Sequence, residues 1–313
     1  MKKYGPYLIL FAAMLWATDA PFRIHLTNHL SSNFIVLGEH MFDTLMVLPV
    51  FILGFSELKK LGWKEWLAVA FIGVAGSALA SVAYTQAFAD MAPSISPAIL
   101  LQKLQPLLAI YLAYVVLKER LNPKFWLWAI VALVGAYIIS FPSLVPFSYP
   151  GEKYHVSLAG VLLALTAAAL WGASTVFGKF VLNKISFKLM TALRFIIGLI
   201  FLVILNFSAH TFPAAHQVTA TDWLFLLIIA IASGVVSLFI YYRGLETTKA
   251  SVATLAELGF PMAAVIVNWI FIPGSALVWQ QIVGIAVLLG AVFMLGRKDI
   301  NQVPDLALAY EPK

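Results

Sequence analysis

Lys103 lies near the middle of an apolar run, PAILLQKLQPLLAIYLAYVVL from Pro97 to Leu117, with Gln102 and Gln105 beside it and Pro106 following. A run of this length and composition spans a bilayer. An ammonium at that depth costs about 2.5–3.5 kcal/mol on insertion scales unless it faces a partner or a wet cavity. At the helical rise per residue the amine lies roughly 15 Å into its span, too deep for its stem to reach an interface. Lys103 is therefore read as a cation for a substrate carboxylate or phosphate, or as the partner of a buried acid. Of the two amides one is read as lining the cavity and the other as hydrogen-bonding a neighbouring helix, with Gln102 taken as the substrate contact.

Four acids could share that interior. Asp19 falls on one face with Trp16 and Arg23, at i, i+3 and i+7; it is read as substrate-binding, and Arg23, a turn later, as a helix-end charge. Glu39 and Asp43 stack at i and i+4 with His40 alongside. Two carboxylates and an imidazole in one membrane helix are group types that can carry a proton near neutral pH, so all three are read as proton-coupling or gating groups. Arg194 is placed with them, near the end of its helix. Glu257 shares a face with Thr254 and Pro261 and is assigned to the binding site. Trp16, Tyr84, Trp171 and Tyr241 sit on the segments expected to wall a cavity and are read as substrate contacts, as is Ser174. Ser77 and Ser81, in line with Gly73, are read as a small-residue packing face.

Several chemistries have no carrier. There is no P-loop, no H-E-x-x-H and no cysteine, and His25, His29, His155, His210 and His216 lack metal-ligand spacing. The expectation is a chain that is not an enzyme and carries no cofactor or metal.

The elements that must position these groups are set by lipid. Hydrophobic residues make up 62% of the chain and charged ones 11%, with mean hydropathy +0.93, against roughly 45–50% apolar residues in soluble domains. Ten spans are read at 5–24, 34–54, 66–89, 94–117, 124–141, 157–181, 188–207, 222–245, 250–272 and 278–296. The basic, apolar start resembles a leader, but its apolar run continues to about Ile24 without a small-residue cleavage site, so it is read as the first span. The +6 net charge is explained by sidedness rather than by nucleic acid. Lys2, Lys3, Lys59, Lys60, Lys64, Lys118, Arg120, Lys124, Lys179, Lys184, Lys188, Lys249 and Arg297 fall on one side, and little more than Arg23 and Lys153 on the other. By the positive-inside rule both termini are cytoplasmic.

The chain also repeats itself. LWATDAPF at Leu15–Phe22 answers LWGASTVF at Leu170–Phe177, Pro106 answers Pro261, and Gly135-Ala136 answers Gly290-Ala291, all at one offset of 155 (170 − 15, 261 − 106 and 290 − 135). Each copy holds five spans, an odd number, so the second must insert upside down relative to the first. Such inverted repeats place a site at the midplane between the halves. The twin W-[AG]-x-x-x-x-F helices, the LKERL run at Leu117–Leu121 and the Gly-rich span closing each copy resemble the drug/metabolite transporter superfamily, and within it the ten-helix EamA-type transporters. The resemblance implies a bundle whose first, third, fourth, sixth, eighth and ninth helices line a central cavity, with amino acids and their derivatives the commonest cargo and export the commonest direction. The family's Arg-Phe pair in the second helix of each copy is kept as Arg194-Phe195 but is Glu39-His40 in the first, inverting the local charge.

The expectation is an all-α integral membrane protein of ten transmembrane helices in two inverted five-helix repeats, 1–141 and 157–296, with an extracytoplasmic linker at 142–156 and a cytoplasmic tail at 297–313. It would sit in a bacterial inner membrane among lipid and work as a secondary transporter of a small-molecule metabolite. With four acids (Asp19, Glu39, Asp43, Glu257) against two bases (Lys103, Arg194), a zwitterion suits the interior. The alternatives are an acid-lined cation channel, or a membrane enzyme or scramblase acting on lipid headgroups. The fifth and tenth helices could pair with a second copy as a homodimer.

Overall fold

The computed structural model describes residues 4–91, 101–141, 157–271 and 278–297. The expected linker at 142–156, nearly all of the tail and the first residues of the fourth span lie outside the described residues. Ten apolar helical segments follow one another: α1 Gly5–Thr27, α2 Ser32–Gly54, α3 Trp63–Met91, α4 Gln105–Val116, α5 Pro123–Ser140, α6 Leu158–Val181, α7 Phe187–Ser208, α8 Ala220–Leu245, α9 Ala250–Phe271 and α10 Trp279–Leu295. Eight are long and apolar enough to cross a membrane, while α4 and α10 are shorter apolar helices. Their outward faces carry residues such as Leu53, 85% exposed, and Ile204, 61% exposed. An apolar outer surface of that extent calls for lipid rather than water as its solvent.

Starts are fixed by short polar side chains. Ser31, Asn122, Ser157, Ser186 and Thr219 each accept a backbone N–H of the first turn, of Phe34, Phe125, Gly160, Leu189 and Asp222 respectively, the usual device for satisfying donors at a helix start. Three spans expected to be continuous are broken. In α1 the helix stops at Trp16 and resumes at Ala20, with Pro21 in the new first turn. Before α4, Lys103 and Leu104 form a turn, and α9 breaks at Glu257 and Leu258. The breaks in the fourth and ninth spans fall within one residue of each other at the offset of 155, and each precedes a proline, Pro106 or Pro261, whose ring cannot continue a preceding helix without loss of a backbone bond.

Packing respects the same offset. α1 packs on α8 as α6 packs on α3, and α1 on α9 as α6 on α4, while α2 pairs with α7, α4 with α9 and α5 with α10. Exchanging the two halves therefore leaves these principal pairings unchanged. Gly135 and Gly284 set the α5–α10 approach: a Cβ on Gly135 would lie 2.8 Å from the Leu288 nitrogen, and one on Gly284 2.9 Å from the Gly135 oxygen. In α3 and α8 the helix widens to π geometry at Ile72–Leu79 and Ala230–Val236, a form that often marks functional positions.

The lysine-rich end of the bundle is closed by hydrogen bonds between halves. Lys118 turns the chain at φ 53°, and Glu119, 4% exposed, then accepts the N–H groups of Ala250 at 2.7 Å and Ser251 at 3.1 Å and the Ser251 hydroxyl at 2.6 Å. A carboxylate of the first half thus caps α9 of the second. Lys179 Nζ donates to the carbonyls of Leu245 and Glu246 at 2.9 Å each, at the other end of the same connection. Burial holds the Lys249 ammonium below the usual lysine range, with Glu119 acting against that shift.

Glu119→Ala strips three charge-assisted bonds from a buried cap, so it should cost about 2–3 kcal/mol and lower the melting temperature of the detergent-purified protein by several degrees. Lys118→Gly, which relieves the positive φ, should leave that temperature unchanged or raise it.

Candidate functional site

Between the halves lies a cavity of about 150 Å³, lined by residues of both. Its wall is drawn from α1, α2, α3, the residues leading into α4, α6, α7, α8 and α9. The expected six lining helices are joined by α2 and α7, because these two pack against each other across the halves and bring His40 and Asp43 near Arg194, while Glu39 faces Arg23. Asp19, Glu257, Gln102, Tyr84, Trp16, Trp171, Ser174, Tyr241, Glu39, His40, Asp43 and Arg194 all border this space. Lys103 does not. It lies in a small adjoining cleft with Pro106, Thr254 and Leu258, where its ammonium sits 4.0 Å from the centre of the Phe260 ring.

Arg23 is the residue that sequence reasoning placed wrongly. Expected as a helix-end charge, it is 6% exposed, because the break after Trp16 redirects the second half of α1 into the bundle. Its guanidinium lies 2.7 Å from Asp19 Oδ2 and 2.8 Å from Glu39 Oε1, and Nη1 donates to Thr85 Oγ1 at 2.7 Å. One cation therefore ties α1 to α2 and α3. A buried ion pair persists only with good geometry and satisfied remaining donors, and Thr85 supplies the latter. The charge census changes in kind rather than in number: with Lys103 outside the cavity and Arg23 on its wall, four acids face two bases, Arg23 and Arg194.

A second network spans the breaks of the fourth and ninth segments. Glu257, 7% exposed, accepts the Gln105 amide at 2.5 Å, the Tyr241 hydroxyl at 2.7 Å and the Thr175 hydroxyl at 3.2 Å. Gln102 donates to Gln105 Oε1 at 2.6 Å and accepts from Lys103 Nζ at 2.9 Å. Ammonium and carboxylate are thus joined through two amides rather than directly.

Around α2 and α7 the partners are fixed as well. His40 Nδ1 faces the Val36 carbonyl at 3.0 Å, which can only accept, so that nitrogen carries the proton and a neutral ring takes the Ser77 hydroxyl at Nε2, 2.9 Å away. Ser77 therefore serves the cavity wall and not packing alone. Arg194, expected near a helix end, is 9% exposed and donates through its Nη atoms to the Tyr242 hydroxyl at 3.2 Å and the Gly76 carbonyl at 2.8 Å. The aromatic walls come in matched pairs: the Trp16 and Tyr241 ring centres are 5.3 Å apart and those of Trp171 and Tyr84 5.1 Å. Exchanging the halves exchanges these pairs.

Compared with known proteins, the chain matches the EamA-like transporter family twice, over residues 3–141 and 158–297. It is similar to the riboflavin transporter ImpX of Fusobacterium nucleatum, 31% identical over 301 residues that cover 94% of this chain and 97% of that protein. It is also similar to the uncharacterized transporter YvbV of Bacillus subtilis, 29% identical over 56% of this chain and 59% of that one. A crystal structure 17% identical in sequence superposes with a TM-score of 0.71, covering 98% of this chain and 99% of its own, a likeness of fold.

Removing the hub cation strands two buried carboxylates. Arg23→Gln should destabilise the protein by about 3–5 kcal/mol, read as a large drop in detergent melting temperature. Adding Glu39→Gln to it should recover part of that loss. A double variant as unstable as the two single losses added together would contradict the pairing.

Proposed function

Because the chain belongs to the EamA-like transporter family, we propose that it is a secondary transporter moving one small organic metabolite across the membrane by alternating access, with the two halves inverted relative to each other and rocking about the cavity. Its family and its relatives make it an integral membrane transporter and not an enzyme; the substrate, the direction and the coupling below are our reading. Both termini are taken as cytoplasmic and the membrane as the bacterial inner membrane, so the lysine-rich end faces the cytoplasm and is the closed end.

The observation that carries the reading is the cavity itself: shared by both halves, and walled by two aromatic pairs with buried polar groups between them. Planar rings stack favourably on such walls. With a relative named for riboflavin transport, a flavin-like heteroaromatic is the first substrate class to test. A zwitterionic amino acid is the second reading, favoured by charges of both signs on the cavity wall. A cation channel needs no aromatic cage, and a headgroup enzyme would place its polar groups at one interface.

We assign the coupling proton to the Asp19–Arg23–Glu39 cluster. Two carboxylates share one guanidinium, so the cluster holds one net negative charge that a proton cancels. Protonation frees one arm of Arg23 and loosens the tie between α1 and α2. The direction that the resemblance implies, export, stands as part of the proposal.

In vesicles containing the purified protein, riboflavin flux should saturate and should accelerate under an imposed pH gradient. Glu39→Gln should keep riboflavin binding and lose the acceleration. Conductance without saturation would favour the channel, and flux of amino acids but not riboflavin would favour the second reading.

A further inference from the structure

Most polar atoms facing the cavity are spent on one another. Four buried ones that border it are not: Asp43 Oδ1, Arg194 Nε, Ser174 Oγ and Tyr84 OH have no hydrogen-bond partner. Their residues are 2%, 9%, 3% and 8% exposed. An unmet buried polar atom costs about 1–3 kcal/mol, and in a native fold it calls for an occupant.

The first two atoms form a pair. Asp43 and Arg194 stand on helices packed against each other, close enough for their charges to interact. Both Nη nitrogens of Arg194 already donate, to Tyr242 and Gly76, so the nitrogen left without a partner is Nε. Beside Asp43 a Cβ on Gly234 would lie 3.0 Å from the carboxyl carbon, so only glycine there leaves room for the carboxylate at the wall. One unmet acceptor and one unmet donor on adjacent helices match a ring N–H next to a ring C=O. A substrate carboxylate prefers to take a guanidinium with two prongs, and here a single nitrogen is unengaged. Across the space, Tyr84 carries a hydroxyl that can serve the far side of the same ring and is paired with Trp171, while the Ser174 hydroxyl packs against Gly76.

We propose that Asp43 and Arg194 are specificity-determining residues that read the lactam or imide edge of a planar heteroaromatic substrate, Asp43 accepting its N–H and Arg194 Nε donating to the adjacent carbonyl. This rests on the transporter reading above. It gives Asp43 a recognition role in place of the proton-carrying role that its spacing suggested.

The test is binding to the purified full-length chain, read by fluorescence quenching for riboflavin and by competition for uridine, each beside its analogue methylated at the imide nitrogen. On the wild-type protein, methylation should weaken binding about tenfold or more, the effect of one buried hydrogen bond left unmade. Asp43→Ala and Arg194→Lys should weaken the parent compound and erase the discrimination between parent and analogue. Because the analogues report on unaltered protein, the test survives a variant that fails to fold. Equal binding of riboflavin and its methylated form overturns the assignment and leaves flavin transport standing. Binding of uridine but not of 3-methyluridine or riboflavin supports the edge assignment and removes the flavin. Binding of amino acids with no imide-bearing probe bound, or no probe bound at all, overturns it.

Discussion

A charge taken into a lipid-solvated bundle must find a partner inside it, and the Arg23 guanidinium is where this constraint organises the fold. It lies against two carboxylates and a hydroxyl from three segments, so α1, α2 and α3 cannot separate without exposing at least one charge to an apolar surround. That expense is several kcal/mol per ion, more than most single packing contacts supply. The break in α1 follows from the same requirement, since it carries the second half of the segment inward far enough for Arg23 to reach Glu39.

The two halves meet this constraint differently, although their backbones correspond apart from the break in α1, which the continuous α6 lacks. Aromatic pairs, π-helical stretches and the breaks before Pro106 and Pro261 recur at matching places. The charges do not. The first half brings Asp19, Glu39 and Asp43, while the second answers Asp19 with Ser174 and Glu39 with Arg194. The result is a cavity with a symmetric frame and an asymmetric lining, acid-rich on one wall and arginine-bearing on the facing one. In the transport cycle proposed above, a symmetric frame would let the halves exchange roles as the cavity opens to either side, and an asymmetric lining would let a single oriented molecule be recognised.

Much of the frame was legible in the sequence. Apolar runs give the ten segments to within a few residues at most ends, and the offset of 155 brings out the correspondence before any coordinate is known. The acids and aromatics that border the cavity were visible too, because a polar side chain in an apolar run stands out. What was hidden depended on where the backbone bends. Lys103 looked central by counting along a straight helix, yet the turn it occupies sets it behind Phe260 and Gln102. Arg23 looked like a helix end because the break after Trp16 has no proline until Pro21 and so gave little warning. Arg194 and Ser77 were underrated for a related reason: their importance lies in partners on other helices, the Gly76 carbonyl and the His40 ring, which a linear pattern does not reveal.

The central claim is that water and a substrate reach a polar cavity between the halves. The chain has no cysteine, so a single introduced thiol reports without background. Ser81→Cys and Ser233→Cys, on the cavity wall, should react with a polar maleimide in intact vesicles, whereas Ile204→Cys on the outward face of α7 should not. Reaction at Ile204→Cys with none at Ser81→Cys or Ser233→Cys would contradict the account.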